Sequence, residues 1–172
     1  MVLVLVLFLL QMPILSLSVY ARNGACLYTK PYNINAHCNS PITSITDEQH
    51  KLIFGMIYSL KELTTALQPT STGRAPEKIN VIKTGSCQLH ILETFSGLRF
   101  VVFTTMLYSQ GVADLSNALK YIYEIWVDKV VRSPVYEPAS FEGGGAGNFS
   151  VSMTLFEATV DGFLEKHPLM FP

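Results

Sequence analysis

The sequence predicts an α/β protein of the α+β type: a five-stranded antiparallel sheet with one helix on one face and two on the other, in the order β-β-α-β-β-β-α-α. Two observations carry that prediction. Residues 88–104 read Gln-Leu-His-Ile-Leu-Glu-Thr, Phe-Ser-Gly, Leu-Arg-Phe-Val-Val-Phe-Thr, two runs rich in branched and aromatic residues about a short Gly-bearing loop, which is the pattern of a hairpin. The second run is apolar on both faces, with Leu98, Phe100 and Val102 pointing one way and Val101 and Phe103 the other. In the first run Leu89 and Ile91 alternate with Gln88 and His90, while Leu92 sets an apolar group among the polar ones. A hairpin of this kind is covered on both sides. The second observation is that three amphipathic stretches elsewhere in the chain supply the cover.

Taken in order, residues 15–21 alternate Leu15, Leu17 and Val19 against Ser16, Ser18 and Tyr20, a period of two. Arg22-Asn23-Gly24 is a turn, since Asn and Gly both tolerate positive φ, and residues 25–32 return as a second strand. Residues 33–44, with Pro41 and several Asn and Ser, read as a surface loop. Thr46-Asp47-Glu48-Gln49 is a capping box. The helix it opens carries Leu52, Ile53, Met56, Ile57, Leu60, Leu63 and Leu67 at three-to-four spacing and stops before Pro69. Full burial of each such side chain contributes on the order of 1.5–3 kcal/mol, so this face is expected to cover something apolar. Gly55, mid-helix, costs about 1 kcal/mol against Ala, and a close approach of helix to sheet is the expected compensation.

Residues 70–78 form a polar loop and 79–84 a third strand, with Gly85 before the hairpin. A second helix over 111–132 has Leu115, Leu119, Ile122, Trp126 and Val130 as its apolar stripe and Pro134 beyond it. Residues 137–150, with Gly143-Gly144-Gly145-Ala146-Gly147, read as a flexible linker. A last helix over about 153–165 turns Leu155, Phe156, Val160, Phe163 and Leu164 inward.

The chain has 172 residues, enough for one domain with a proper core. We place that domain at residues 15–172, after an apolar extension over 1–14. Val2 to Leu10 is an unbroken apolar run, resembling a signal-peptide core with Val19-Tyr20-Ala21 as a possible cleavage site, but no Lys or Arg precedes it. It is also short for a bilayer span, and Pro13 interrupts it. If it directs secretion or anchoring, the protein is a secreted or membrane-anchored one, and Asn148-Phe149-Ser150 is then a usable glycosylation sequon.

A net charge of −1 gives no basic footprint for nucleic acid. The three cysteines, Cys26, Cys38 and Cys87, lack paired spacing, which favours a reducing compartment over a disulfide framework. His37 adjoins Cys38, but zinc sites use paired ligands and none is spaced that way. Cys26 and Cys87 fall on strands and read as small buried hydrophobes. His90 has no nucleophile and carboxylate that sequence alone can bring to it. The Gly143 run lacks the Lys and Ser/Thr of a phosphate loop. We therefore assign no catalytic residue, cofactor site or metal site, and expect neither enzymatic activity nor a small-molecule substrate. Tyr121, Tyr123 and Trp126 cannot all face the sheet, and Tyr121 or Tyr123 is expected to meet a partner.

Four stretches carry a resemblance. Lys51-Leu52-Ile53-Phe54-Gly55-Met56-Ile57-Tyr58-Ser59-Leu60-Lys61, the hairpin from Lys83 through Leu98, Tyr121-Ile122-Tyr123-Glu124-Ile125-Trp126-Val127-Asp128-Lys129-Val130-Val131-Arg132-Ser133-Pro134, and Leu155-Phe156 onward together resemble the subunit 1 family of the transport protein particle (TRAPP) complex, of longin/SNARE-like fold. Tyr20-Ala21-Arg22 stands where that family has an aromatic followed by Asp or Asn and Arg; residues 105–110 lack its acidic residue, and the Gly143 insertion is unusual. The resemblance implies a non-catalytic subunit that assembles with other small TRAPP subunits, and that contributes through the assembled complex to nucleotide exchange on a Rab GTPase in ER-to-Golgi transport. It also implies a cytoplasmic protein peripheral to ER and cis-Golgi membranes, functioning through the outer faces of its helices.

Overall fold

The computed structural model describes residues 14–32, 46–67, 78–85, 87–105, 112–133 and 150–166. Residues 1–13 of the apolar extension, the loop with His37 and Cys38, the Gly143 run and Asn148 lie outside them; Ile14, placed in the extension by the sequence, is instead the first residue of the first strand and packs in the core. The strands are β1 (Ile14–Tyr20), β2 (Cys26–Pro31), β3 (Val81–Lys83), β4 (Cys87–Glu93) and β5 (Arg99–Thr105). The helices are α1 (Asp47–Leu67), α2 (Val112–Trp126), which runs on into a π-helical turn (Val127–Val131), and α3 (Ser150–Lys166). All strand pairings are antiparallel, in the order β2-β1-β5-β4-β3.

Two apolar layers sit on the two faces, as the doubly apolar hairpin required. Leu98, Phe100 and Val102 of β5 and its turn join Leu17 and Val19 of β1 against α2 and α3, where Leu115, Leu119, Ile122, Trp126, Val130, Phe156, Val160 and Leu164 close the layer. Val101 and Phe103 join Leu89 and Ile91 of β4 against α1, where Ile57 is the fully buried contact. One helix therefore covers one face and two the other. In β1 the period of two breaks: a register shift between Ile14 and Ser16 leaves Leu15 in the α1 layer and Ile14 in the α2–α3 layer. All seven residues of β1 are buried, so a bulge here costs no apolar contact.

The turns use glycine where positive φ demands it. Gly24 (φ +91°) sits beneath the Phe54 ring of α1, and a Cβ there would come within 2.9 Å of it. Gly97 (φ +85°) closes the β4–β5 turn, its N–H donating to the Thr94 carbonyl at 3.1 Å. The capping box is formed: the Thr46 N–H donates to Gln49 Oε1 at 2.9 Å and the Gln49 N–H to Thr46 Oγ1 at 3.4 Å.

Three sequence expectations are corrected. The apolar residues of α1 do not share one buried face: Ile57 is buried and Ile53 and Leu60 half-buried, but Leu52, Met56, Leu63 and Leu67 are exposed. In α3, Leu155 is exposed while Met153 is the half-buried residue at the near end. Gly55 makes no close approach to the sheet; it is exposed and a Cβ there would meet nothing within 4 Å. Gly55→Ala is therefore expected to stabilise the protein by about 0.5–1 kcal/mol, read as a rise in the denaturation midpoint; a fall would show a constraint on α1 that the geometry does not contain.

Candidate partner-binding surface

At 3.6 residues per turn, Leu52, Met56, Leu63 and Leu67 lie within about 60° of one another, roughly a third of a turn from Ile57. They form an apolar flank along most of α1, with Leu52 72%, Leu63 53% and Leu67 73% exposed. Single exposed leucines are ordinary, whereas an aligned series on one helix flank marks a contact surface. Phe95, wholly exposed at the tip of the β4–β5 hairpin, is a second unburied apolar group.

Two polar ties hold α1 in place beneath this flank. His50, from its first turn, shares a 2.9 Å hydrogen bond through Nδ1 with the Tyr20 hydroxyl in the sheet. Burial pushes the Tyr20 phenol far up, and burial also lowers the His50 imidazole, against the pull of Asp47. Both are thus neutral at pH 7. Near the other end, Lys61 Nζ donates to both oxygens of Glu93 at 2.7 and 2.9 Å, and Arg99 Nη2 reaches the same carboxylate at 3.3 Å. Burial opposes the Glu93 charge, but the Lys61 hydrogen bond and the two cations outweigh it and hold the carboxyl below its ordinary range. Glu93 and Arg99 are register partners across the hairpin, a cross-strand ion pair visible from the symmetric placement of the two residues about Thr94–Leu98.

On the other face, Trp126 is fully buried, edge-on to Phe100 and Phe156. Tyr123 is half-buried against Phe100, and Tyr121 is 47% exposed with its ring tilted at 42° against Phe163, 4.5 Å between centres. Of the two candidate tyrosines, Tyr121 is the one at the surface. Cys26 and Cys87 pack as half-buried groups on the α1 layer, and burial lifts the Cys26 thiol to about 11, which leaves it protonated and unreactive.

His90 is buried at 1% exposure, and burial, with a lesser push from Lys83, lowers its imidazole to about 4. The unfolded state therefore binds its proton first, and stability falls as pH drops from about 6.5 towards 4. The pKa gap corresponds to about 3 kcal/mol. Chemical denaturation at pH 7 and pH 4.5 is expected to show a steeper acid loss for the natural chain than for His90→Gln, which cannot titrate; equal slopes would mean that another group sets the acid limb.

A family model described as the Sybindin-like family matches residues 14–165, from the first residue of β1 almost to the end of α3. The chain belongs to the Sybindin-like family. Among its relatives, "Trafficking protein particle complex subunit 1" of Dictyostelium discoideum is 30% identical over 125 residues, 72% of this chain and 81% of that protein. "Transport protein particle subunit bet5" of Schizosaccharomyces pombe is 27% identical over 163 residues, covering 89% and 96%. "Trafficking protein particle complex subunit BET5" of Saccharomyces cerevisiae is 28% identical over 160 residues, also 89% and 96%. The expected resemblance thus holds across nearly the whole Sybindin-like chain, and its sheet with one helix against two is the longin-like arrangement of that family. The exposed flank of α1 lies inside the matched range.

Proposed function

We propose that this Sybindin-like chain is a non-catalytic core subunit of a TRAPP-type vesicle-tethering complex. In this reading it assembles with other small subunits of that complex through the apolar flank of α1, and the assembly exchanges nucleotide on a Rab GTPase in ER-to-Golgi transport. The protein then works in the cytoplasm, at the periphery of ER and cis-Golgi membranes. The observation that carries the reading is the end-to-end similarity to proteins named as subunits of this particle. The α1 flank supports it, because a subunit needs a surface whose apolar area is buried only on assembly. Among the described residues no helix is long and apolar enough to cross a membrane, so a peripheral attachment through partners is compatible with the fold.

Reconstitution tests the exchange role. Release of a fluorescent guanine nucleotide from the Rab, catalysed by the purified complex, is expected to drop at least about tenfold when this subunit is omitted, equivalent to about 1.4 kcal/mol of barrier. Undiminished exchange without it would restrict the chain to tethering or remove it from the assembly.

A further inference from the structure

The Lys61–Glu93–Arg99 tie borders a cavity of about 170 Å³ between the C-terminal half of α1 and the sheet. Its apolar wall is Ile57, Ile79 and Ile91; its polar wall is Lys61, Lys78, Arg99, Glu93 and Thr65. Three cations thus face one carboxylate. Glu93 is already shared by Lys61 and Arg99. Lys78 has no carboxylate among the described residues; its Nζ sits 5.2 Å from the centre of the exposed Phe95 ring. Arg99 is the decisive group. Its side chain is 6% exposed, its guanidinium carbon lies 4.7 Å from the centre of the Phe54 ring, and its Nε and Nη1 have no acceptor among the described residues. A buried guanidinium with idle donors is costly, more so than a neutral group left unmatched. A carboxylate brought to the cavity would meet these donors.

We propose that this cavity is a carboxylate-binding site that receives the side chain of a glutamate from a partner protein. The charge balance calls for an anion, and Arg99 and Lys78 supply charge-assisted donors for its oxygens. The volume is below the roughly 300 Å³ at which pockets begin to enclose drug-sized ligands, so it suits one side-chain end and not a cofactor. The apolar wall separates a carboxylate on an aliphatic stem from inorganic phosphate. The methylenes of a glutamate can lie on Ile57, Ile79 and Ile91, whereas phosphate would present oxygens to them. Phe95 at the rim offers contact to a neighbouring apolar residue of the same segment. This site is separate from the apolar flank of α1 and does not depend on the assembly proposed above.

The test uses the isolated full-length chain, with N-acetyl-glutamate amide, its glutamine counterpart and inorganic phosphate as probes. Isoleucine methyl and arginine Nε–H signals are followed by NMR. The glutamate probe is expected to shift the Ile57, Ile79, Ile91 and Arg99 signals saturably, with a Kd of about 1–10 mM, as suits one ion pair and a short stem. Lys78→Ala, at an exposed position that leaves the fold intact, is expected to weaken binding about tenfold; Lys78→Arg retains it. No saturable shift, an equal response to the glutamine probe, or preference for phosphate over the glutamate probe would each overturn the proposal.

Discussion

Trp126→Ala is expected to cost about 3–5 kcal/mol, the range for removing a large aromatic from a packed core. Trp126 is fully buried where α2, α3 and the central strand meet, with Phe100 at 5.9 Å and Phe156 at 5.1 Å between ring centres, both edge-on. Deleting the indole opens a void that three elements would have to close together, which a close-packed interior does poorly. A total stability of about 5–15 kcal/mol leaves little margin, so the variant should be largely unfolded at moderate denaturant or temperature. Trp126→Phe separates volume from polarity. The indole Nε1 is buried without an acceptor among the described residues, so phenylalanine removes an unmet donor along with some volume. Its expected cost is below about 2 kcal/mol. Denaturation curves for both variants decide this; similar losses for the two would mean that the indole nitrogen is satisfied and holds the layer together.

The second large effect is on assembly rather than folding. Leu52→Asp with Leu63→Asp places two charges on the exposed flank of α1, and at such exposed positions each should shift stability by no more than about 0.5 kcal/mol. If that flank is buried against another subunit, two uncompensated carboxylates in the contact should cost at least about 3 kcal/mol of binding, a hundredfold or more in affinity. Co-purification would then fall to background while circular dichroism and the unfolding midpoint stay close to those of the natural chain. Retained assembly would move the contact elsewhere, Tyr121 on the opposite face being the next surface to change.

The same helix shows what a linear reading resolves and what it does not. The apolar stripe of α2 was legible because Leu115, Leu119, Ile122, Trp126 and Val130 all fall on one narrow face and all are buried. In α1 two adjacent apolar flanks overlap at three-to-four spacing. Ile53 and Ile57 touch the sheet, while Leu52, Leu63 and Leu67 do not. Periodicity reports that a residue belongs on an apolar side; it cannot say whether the sheet or a partner provides the cover. The two-sided burial of the hairpin was legible because Val101 and Phe103 contradict a wet face. The bulge at Leu15 was not, since a period of two looks the same whether or not the partner strand skips a residue. The π turn after Trp126, where the Arg132 N–H bonds the Val127 carbonyl at 3.0 Å, leaves no composition signal either. Half of the Lys61–Glu93–Arg99 tie could have been read from the hairpin alone, because Glu93 and Arg99 flank its turn symmetrically. Lys61 joins only through the packing of α1. The cavity beside it depends on side chains from four separate segments, which only folding brings together.

As a subunit of the particle its relatives are named for, this chain should travel with partners in the cell. Isolating it with a tag at its natural expression level, and identifying the chains that come with it by mass spectrometry, shows whether it does. A stoichiometric set of small TRAPP subunits is expected, lost when Leu52 and Leu63 carry charges. Recovery of the folded chain alone, with none of those subunits, would contradict a subunit role.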